Sequence, residues 1–103
     1  MSTYFASKYP SEAVPLTFDF SLDLAAGETL SGAAQVTITT FSGIDPQPAL
    51  LLNGVPQLSA NNTQVLVPVQ GGIDGCVYQF VVRQPTSNPY KILVWRALLP
   101  VNV

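Results

Sequence analysis

The sequence predicts an all-β fold, a sandwich of six to seven short antiparallel strands preceded by an extended N-terminal arm. Three observations lead there. Strand-length segments with apolar residues at every second position recur about every 10–15 residues. Clusters of Gly, Pro, Asn and Ser separate them, and these residues favour turns. No stretch of ten or more residues carries the i, i+3, i+4, i+7 pattern of an amphipathic helix. With 103 residues the chain has room for one domain and one core. Packing two half-apolar sheets face to face is the natural way to bury such strands.

Residues 1–14 read as the arm and residues 15–103 as the sandwich domain. The arm holds Tyr4, Phe5 and Tyr9 among small and polar residues, and Pro10 and Pro15 interrupt any helix. A purely flexible tail is usually poor in aromatics, so docking against a neighbour is expected, with a frayed terminus as the alternative. Leu16 to Leu24 reads as the first strand: Leu16, Phe18, Phe20, Leu22 and Leu24 share one face, and Thr17, Asp19, Ser21 and Asp23 the other. Ala25 to Glu28 supplies a turn. Ala34, Val36 and Ile38 then alternate with Gln35, Thr37 and Thr39 in a strand rich in β-branched residues.

The run Ala49–Leu52 ends at Asn53-Gly54, a dipeptide that signals a hairpin between apolar runs. Pro56 beyond it belongs on an edge strand or outside the ladder. Val65, Val67 and Val69 share a face of the next strand, where Pro68 again points to an edge. Gly71 to Gly75 reads as a hairpin connection. Cys76, Tyr78, Phe80 and Val82 lie on one face of a strand reaching Arg83, and a last strand runs from Tyr90 to about Leu98. Asp74, Cys76 and Tyr78 have the spacing of a tyrosine corner, in which a Tyr opening the penultimate strand ties back to upstream backbone. The sandwich is therefore expected to be immunoglobulin-like. Cys76 fills the small-residue position and is expected to be a buried structural thiol, since a reactive Cys needs an activating neighbour.

Apolar residues make up 48% of the chain and charged residues 10%, against about 25% in an average soluble domain. So thin a charged coat, with nine prolines, suits a permanent assembly better than a free monomer. The alternative is a monomer covered by Thr, Ser, Gln and Asn. No Lys or Arg lies between Lys8 and Arg83, while all six acids lie before Arg83, so one region is expected to be acidic and another basic. Four basic residues and a pI near 4.5 cannot supply the phosphate neutralisation that nucleic-acid binding needs. The single cysteine allows neither an internal disulfide nor a metal cluster, which favours a reducing cytoplasm. No run of 18 apolar residues and no signal-peptide pattern is found, so no membrane partner is expected. The acceptor-like Asn61-Asn62-Thr63 reads as a polar turn.

Histidine is absent, which removes the commonest general base and every Ser-His or Cys-His relay. Asp19 and Asp23, the one close acidic pair, would stand ~13 Å apart along an extended strand, beyond glycosidase range. Gly71-Gly72 and Gly75 lack the Lys-Ser/Thr ending of a phosphate loop. A non-enzymatic chain without cofactor is expected. Trp95, the only tryptophan, lies opposite Ile92 and Val94 and reads as a core residue, a partner hot spot or a sugar platform.

The run Phe18-Asp19-Phe20-Ser21, then Leu24, then Gly27-Glu28-Thr29-Leu30-Ser31 resembles the opening of small tailed-bacteriophage virion proteins of the fiber-tail adaptor or head-tail accessory type. Gly71-Gly72, Gly75 and Tyr78 match that group's later Gly-Gly-x-x-Gly-x-x-Tyr block, and Lys8-Tyr9-Pro10 loosely resembles its Lys-Asp-Pro-like start. The resemblance implies a multicopy, non-enzymatic virion part of immunoglobulin-like fold, assembled in the host bacterial cytoplasm. Its partners would be other virion proteins: tail, portal-proximal or fiber subunits, or further copies in a ring or homo-oligomer. Capsid decoration and carbohydrate binding, the latter on a platform of Tyr90 and Trp95, are the alternative functions. The expected protein interface comprises Tyr4, Phe5, Tyr9, Val55, Pro56, Trp95 and Arg96, with the strand edges near Pro56 and Pro68.

Overall fold

A computed structural model describes residues 2–103, with Ser2 and Thr3 described by their backbone alone; Met1, where the expected arm begins, lies outside the described residues. Among the described residues seven strands form two sheets. The strands are β1 (Ser2–Tyr4), β2 (Ala13–Asp19), β3 (Gln35–Ser42), β4 (Gln57–Leu58), β5 (Gln64–Gln70), β6 (Cys76–Pro85) and β7 (Ile92–Val101). One sheet has the order β1-β7-β6-β3 and the other β2-β5-β4. Lettering β2 to β7 as B to G gives the B-E-D and G-F-C sheets of an immunoglobulin-like sandwich. The fold is thus the expected all-β sandwich. One pairing departs from the antiparallel expectation: β1 runs parallel to β7, with Ser2 opposite Arg96 and Tyr4 opposite Leu98. The N-terminal segment therefore lies along its own sheet, continued by the Phe5 N–H to Leu98 O bond (2.9 Å) and the Lys8 N–H to Pro100 O bond (3.0 Å). Ala13 and Val14, assigned to the arm above, belong to β2.

Alternation builds the core between the sheets. Leu16 and Phe18 of β2 and Val65, Val67 and Val69 of β5 point inward against Tyr78, Phe80 and Val82 of β6 and Leu99 and Val101 of β7. All are buried, and each large aliphatic or aromatic side chain so placed contributes about 1.5–3 kcal/mol relative to exposure. Cys76 is buried among them as a free thiol.

Four local expectations fail for identifiable reasons. The first strand ends at Asp19 and not at Leu24, because the Asp19 carboxylate accepts the Ser21 N–H (2.9 Å) and Phe20 O accepts the Asp23 N–H (2.9 Å), closing a 3₁₀ turn over Ser21–Asp23. Leu22 is consequently 93% exposed. The Ala49–Leu52 run is not a hairpin arm: Pro48–Leu51 forms a second 3₁₀ turn, and both Leu52 and Leu58 pair with β5. In place of a hairpin closed at Asn53-Gly54, the Asn53 N–H donates to Pro68 O (2.9 Å). Pro68 lies in the central strand β5, at a point where β4 has left the ladder, so its missing N–H breaks nothing. Gly71–Gly75 is an arch between the two sheets, since β5 and β6 share no sheet.

Candidate functional site

The expected interface residues fall into separate places. Tyr4 and Arg96 share the outer face of the β1-β7-β6-β3 sheet and are exposed. Phe5 and Trp95 turn inward and are half-buried. The Phe5 ring meets Phe18 edge-on at 5.4 Å, and Trp95 meets Phe18 at 6.1 Å and Phe20 at 5.2 Å in the same geometry. Of the three readings of Trp95, these contacts place its ring in the core. Tyr9 is exposed before β2, while Val55, exposed, and Pro56, half-buried, lie beside β4 at the edge of the other sheet.

Around Tyr4 and Arg96 the register assembles a surface that the sequence reading missed. Arg96 stands beside Val81, and Val94 beside Arg83, which in turn faces Gln35; Ile92 continues the row. Ile92 and Val94 are about half exposed, at 46% and 48%. No carboxylate stands on this outer face at any outward position of β3, β6 or β7. Of its arginines, Arg83 Nη1 donates to Gln35 Oε1 at 3.4 Å, and among the described residues the Arg96 side chain makes neither a hydrogen bond nor an ion pair. Strand β7 is apolar at both parities, so alternation alone did not identify Ile92 and Val94 as the outward pair.

The other two bases are structural. Lys91 Nζ donates to Glu28 Oε1 at 2.9 Å and to Asp23 O at 2.7 Å. The Glu28 carboxylate also accepts the Ala25 N–H at 2.8 Å and the Thr86 hydroxyl at 2.8 Å. These bonds, the Ala25 N–H first, hold the Glu28 carboxyl down to about 2. The network clamps the β2–β3 loop to the β6–β7 loop, reinforced by buried Gln84, whose amide donates to the carbonyls of Ser31, Gly32 and Pro85. From this braced end Leu22 and Tyr90 project, 93% and 95% exposed.

The opposite end holds the tyrosine corner. Buried Tyr78 accepts the Ile73 N–H at 2.9 Å and donates to Asp45 Oδ2 at 2.7 Å, and burial and the Asp45 carboxylate raise its pKa. Buried Lys8 donates to the carbonyls of Tyr9 and Gly71, and its burial lowers its pKa. Gly72 is required here: its φ is +98°, and a Cβ would stand 2.9 Å from Val101 Cγ2. A cleft of about 480 Å³ opens between residues 45–51 and 70–73. The acid among its lining residues, Asp45, is engaged by Tyr78 and by the Gln47 N–H. Among the described residues no group of three or more His, Cys, Asp or Glu is placed to hold a metal. Asp19 and Asp23 no longer lie on one extended strand; the Asp19 carboxylate instead takes the Ser21 N–H and the Gln64 amide.

Comparison with protein-family models, with curated proteins and with solved structures gives no match.

Proposed function

We propose that this chain is a structural, non-catalytic component of a tailed-phage particle, an adaptor joining the tail or head-tail junction to fibers or to another ring of subunits. The observation that carries the reading is the outer face of the β1-β7-β6-β3 sheet, where Tyr4, Val94, Ile92, Arg83 and Arg96 form an apolar and basic surface without a carboxylate. A surface of this composition favours an acidic-rimmed protein partner, with aromatic and Arg side chains as anchors. The resemblance at Phe18–Ser21, Gly27–Ser31 and Gly71–Tyr78 supplies the particle. Glu28 and Tyr78, which carry part of it, are the hubs of the loop clamp and the tyrosine corner, so those motifs specify the scaffold and leave attachment to the outer face.

Capsid decoration is a close variant using the same face. A carbohydrate module is disfavoured, because Trp95 turns inward and leaves Tyr90 alone as a platform. The test is retention on purified particles. Arg83→Glu with Arg96→Glu is expected to strip the protein from particles while its thermal melt stays near that of the wild type. Full retention of the double variant would refute the assignment of this face.

A further inference from the structure

We infer that β3 is a pairing edge for a second copy of this chain, the two β3 strands meeting antiparallel about a two-fold axis. The two sheets have four edge strands, β1, β3, β2 and β4, and three of them are blunted. Strand β2 carries Asp19 and, in its middle, Pro15. Pro15 pairs with Pro68, whose carbonyl faces Asn53 on the far side, so the N–H that Pro15 lacks belongs to the free edge. Strand β4 is two residues long and follows Pro56, and β1 is three residues long.

Strand β3 is neither short nor interrupted in this way, although the second 3₁₀ turn packs beside it and the Thr40 hydroxyl donates to Asp45 O at 3.0 Å. Gln35–Ser42 contains neither a charge nor a proline and is rich in β-branched residues. Among the described residues, no turn or loop backbone hydrogen bond reaches it. A bulge between Thr40 and Ser42 closes the regular stretch, leaving Gln35 to Thr40 as the template.

Charge identifies the occupant. From Thr29 to Ile73 the sole charged residue is Asp45, already engaged by Tyr78 and Gln47. This stretch builds β3, the second 3₁₀ turn that packs against β3, and β4 on the matching edge of the other sheet. A basic strand would find no counter-charge along this side and an acidic one only Arg83, beside Gln35 at one end of the template, whereas a second copy presents the same uncharged edge. Antiparallel pairing centred on Ile38 sets Thr37 against Thr39 of the other copy on the outer face and Val36 against Thr40 on the inner one. Exposed Phe41, Leu50 and Val55, at 61%, 66% and 72%, flank the edge and would be covered together with their symmetry mates.

The test is sedimentation of the full chain over a concentration series, with hydrogen exchange of the β3 amides. The wild type is expected to sediment at twice its 11.0 kDa mass, with β3 amides protected more strongly as concentration rises. Thr37→Lys with Thr39→Lys sets like charges together across the axis and is expected to weaken dimerisation at least about a hundredfold. Thr37→Glu with Thr39→Glu, added in equal amount, is expected to restore a mixed dimer. Thr17→Lys, on β2, should leave the dimer intact. A wild-type monomer at every concentration, or a dimer indifferent to the Lys pair, overturns the inference. Protection of β3 only on adding another virion protein also overturns it, in favour of a foreign strand. The inference does not rest on the particle reading, which a monomeric chain leaves to its own test.

Discussion

Replacing Tyr78 by Phe tests the device that fixes one end of the sandwich. The ring stays in place, fully buried, and only the hydroxyl is lost. That oxygen accepts the Ile73 N–H at 2.9 Å and donates to Asp45 Oδ2 at 2.7 Å. A neutral hydrogen bond contributes about 1 kcal/mol and one to a charged group about 1.5–3 kcal/mol, so up to about 4 kcal/mol is at stake. Ile73 is 45% exposed and Asp45 half-buried, so water can reach both groups once they are freed, which lowers the expected loss to about 2–3 kcal/mol. In a domain of this size that is a fall in Tm of roughly 10–20 °C. Urea unfolding at neutral pH and calorimetry measure it. A cycle with Asp45→Ala should show at least about 1 kcal/mol of coupling, since the two groups share one bond. A Tyr78→Phe protein within about 0.5 kcal/mol of the wild type, or strict additivity, would refute the role given to the corner.

Trp95→Phe should cost under about 1.5 kcal/mol, because the indole N–H has no hydrogen-bond partner among the described residues, while Trp95→Ala, which removes the ring that meets Phe18 and Phe20, should cost about 3 kcal/mol; denaturant melts separate the two. Because Glu28 titrates near 2 when folded and near 4.5 when free, its contribution is complete above about 4.5 and is lost as pH falls toward 2; Glu28→Gln should flatten the acid limb of a stability-pH curve in that window. Gly72→Ala should destabilise by about 2 kcal/mol or more through left-handed strain and the clash with Val101, whereas Gly27→Ala, at φ +78° in open space, should cost about 1 kcal/mol; paired unfolding curves give the difference.

The strands were legible where one face is apolar and the other polar, as at Leu16–Asp19, or where β-branched residues recur at every second position, as at Val65, Val67 and Val69, and the tyrosine corner was legible from three residues. Element ends were not, because they hang on single side-chain bonds such as Asp19 to the Ser21 N–H, which alternation does not encode. Asn53-Gly54 misled because its flanking runs pair with a third strand, a non-local choice. The arm's aromatics looked equivalent in sequence, yet Phe5 turns inward and Tyr4 outward, as the parity of β1 against β7 dictates. The same parity makes Ile92, Val94 and Arg96 an outer surface, and no feature of an apolar strand announces which side faces a core. The charge-free edge at β3 was readable in principle, as the long interval between Glu28 and Asp74 broken only by Asp45.

Imaging intact particles at a resolution that separates subunits tests the central claim most directly. The adaptor reading requires density for this sandwich in a ring at the tail or the head-tail junction, with Tyr4, Val94 and Arg96 turned toward a neighbouring subunit. Density confined to hexamer or pentamer surfaces of the shell, or none in the particle, would contradict it.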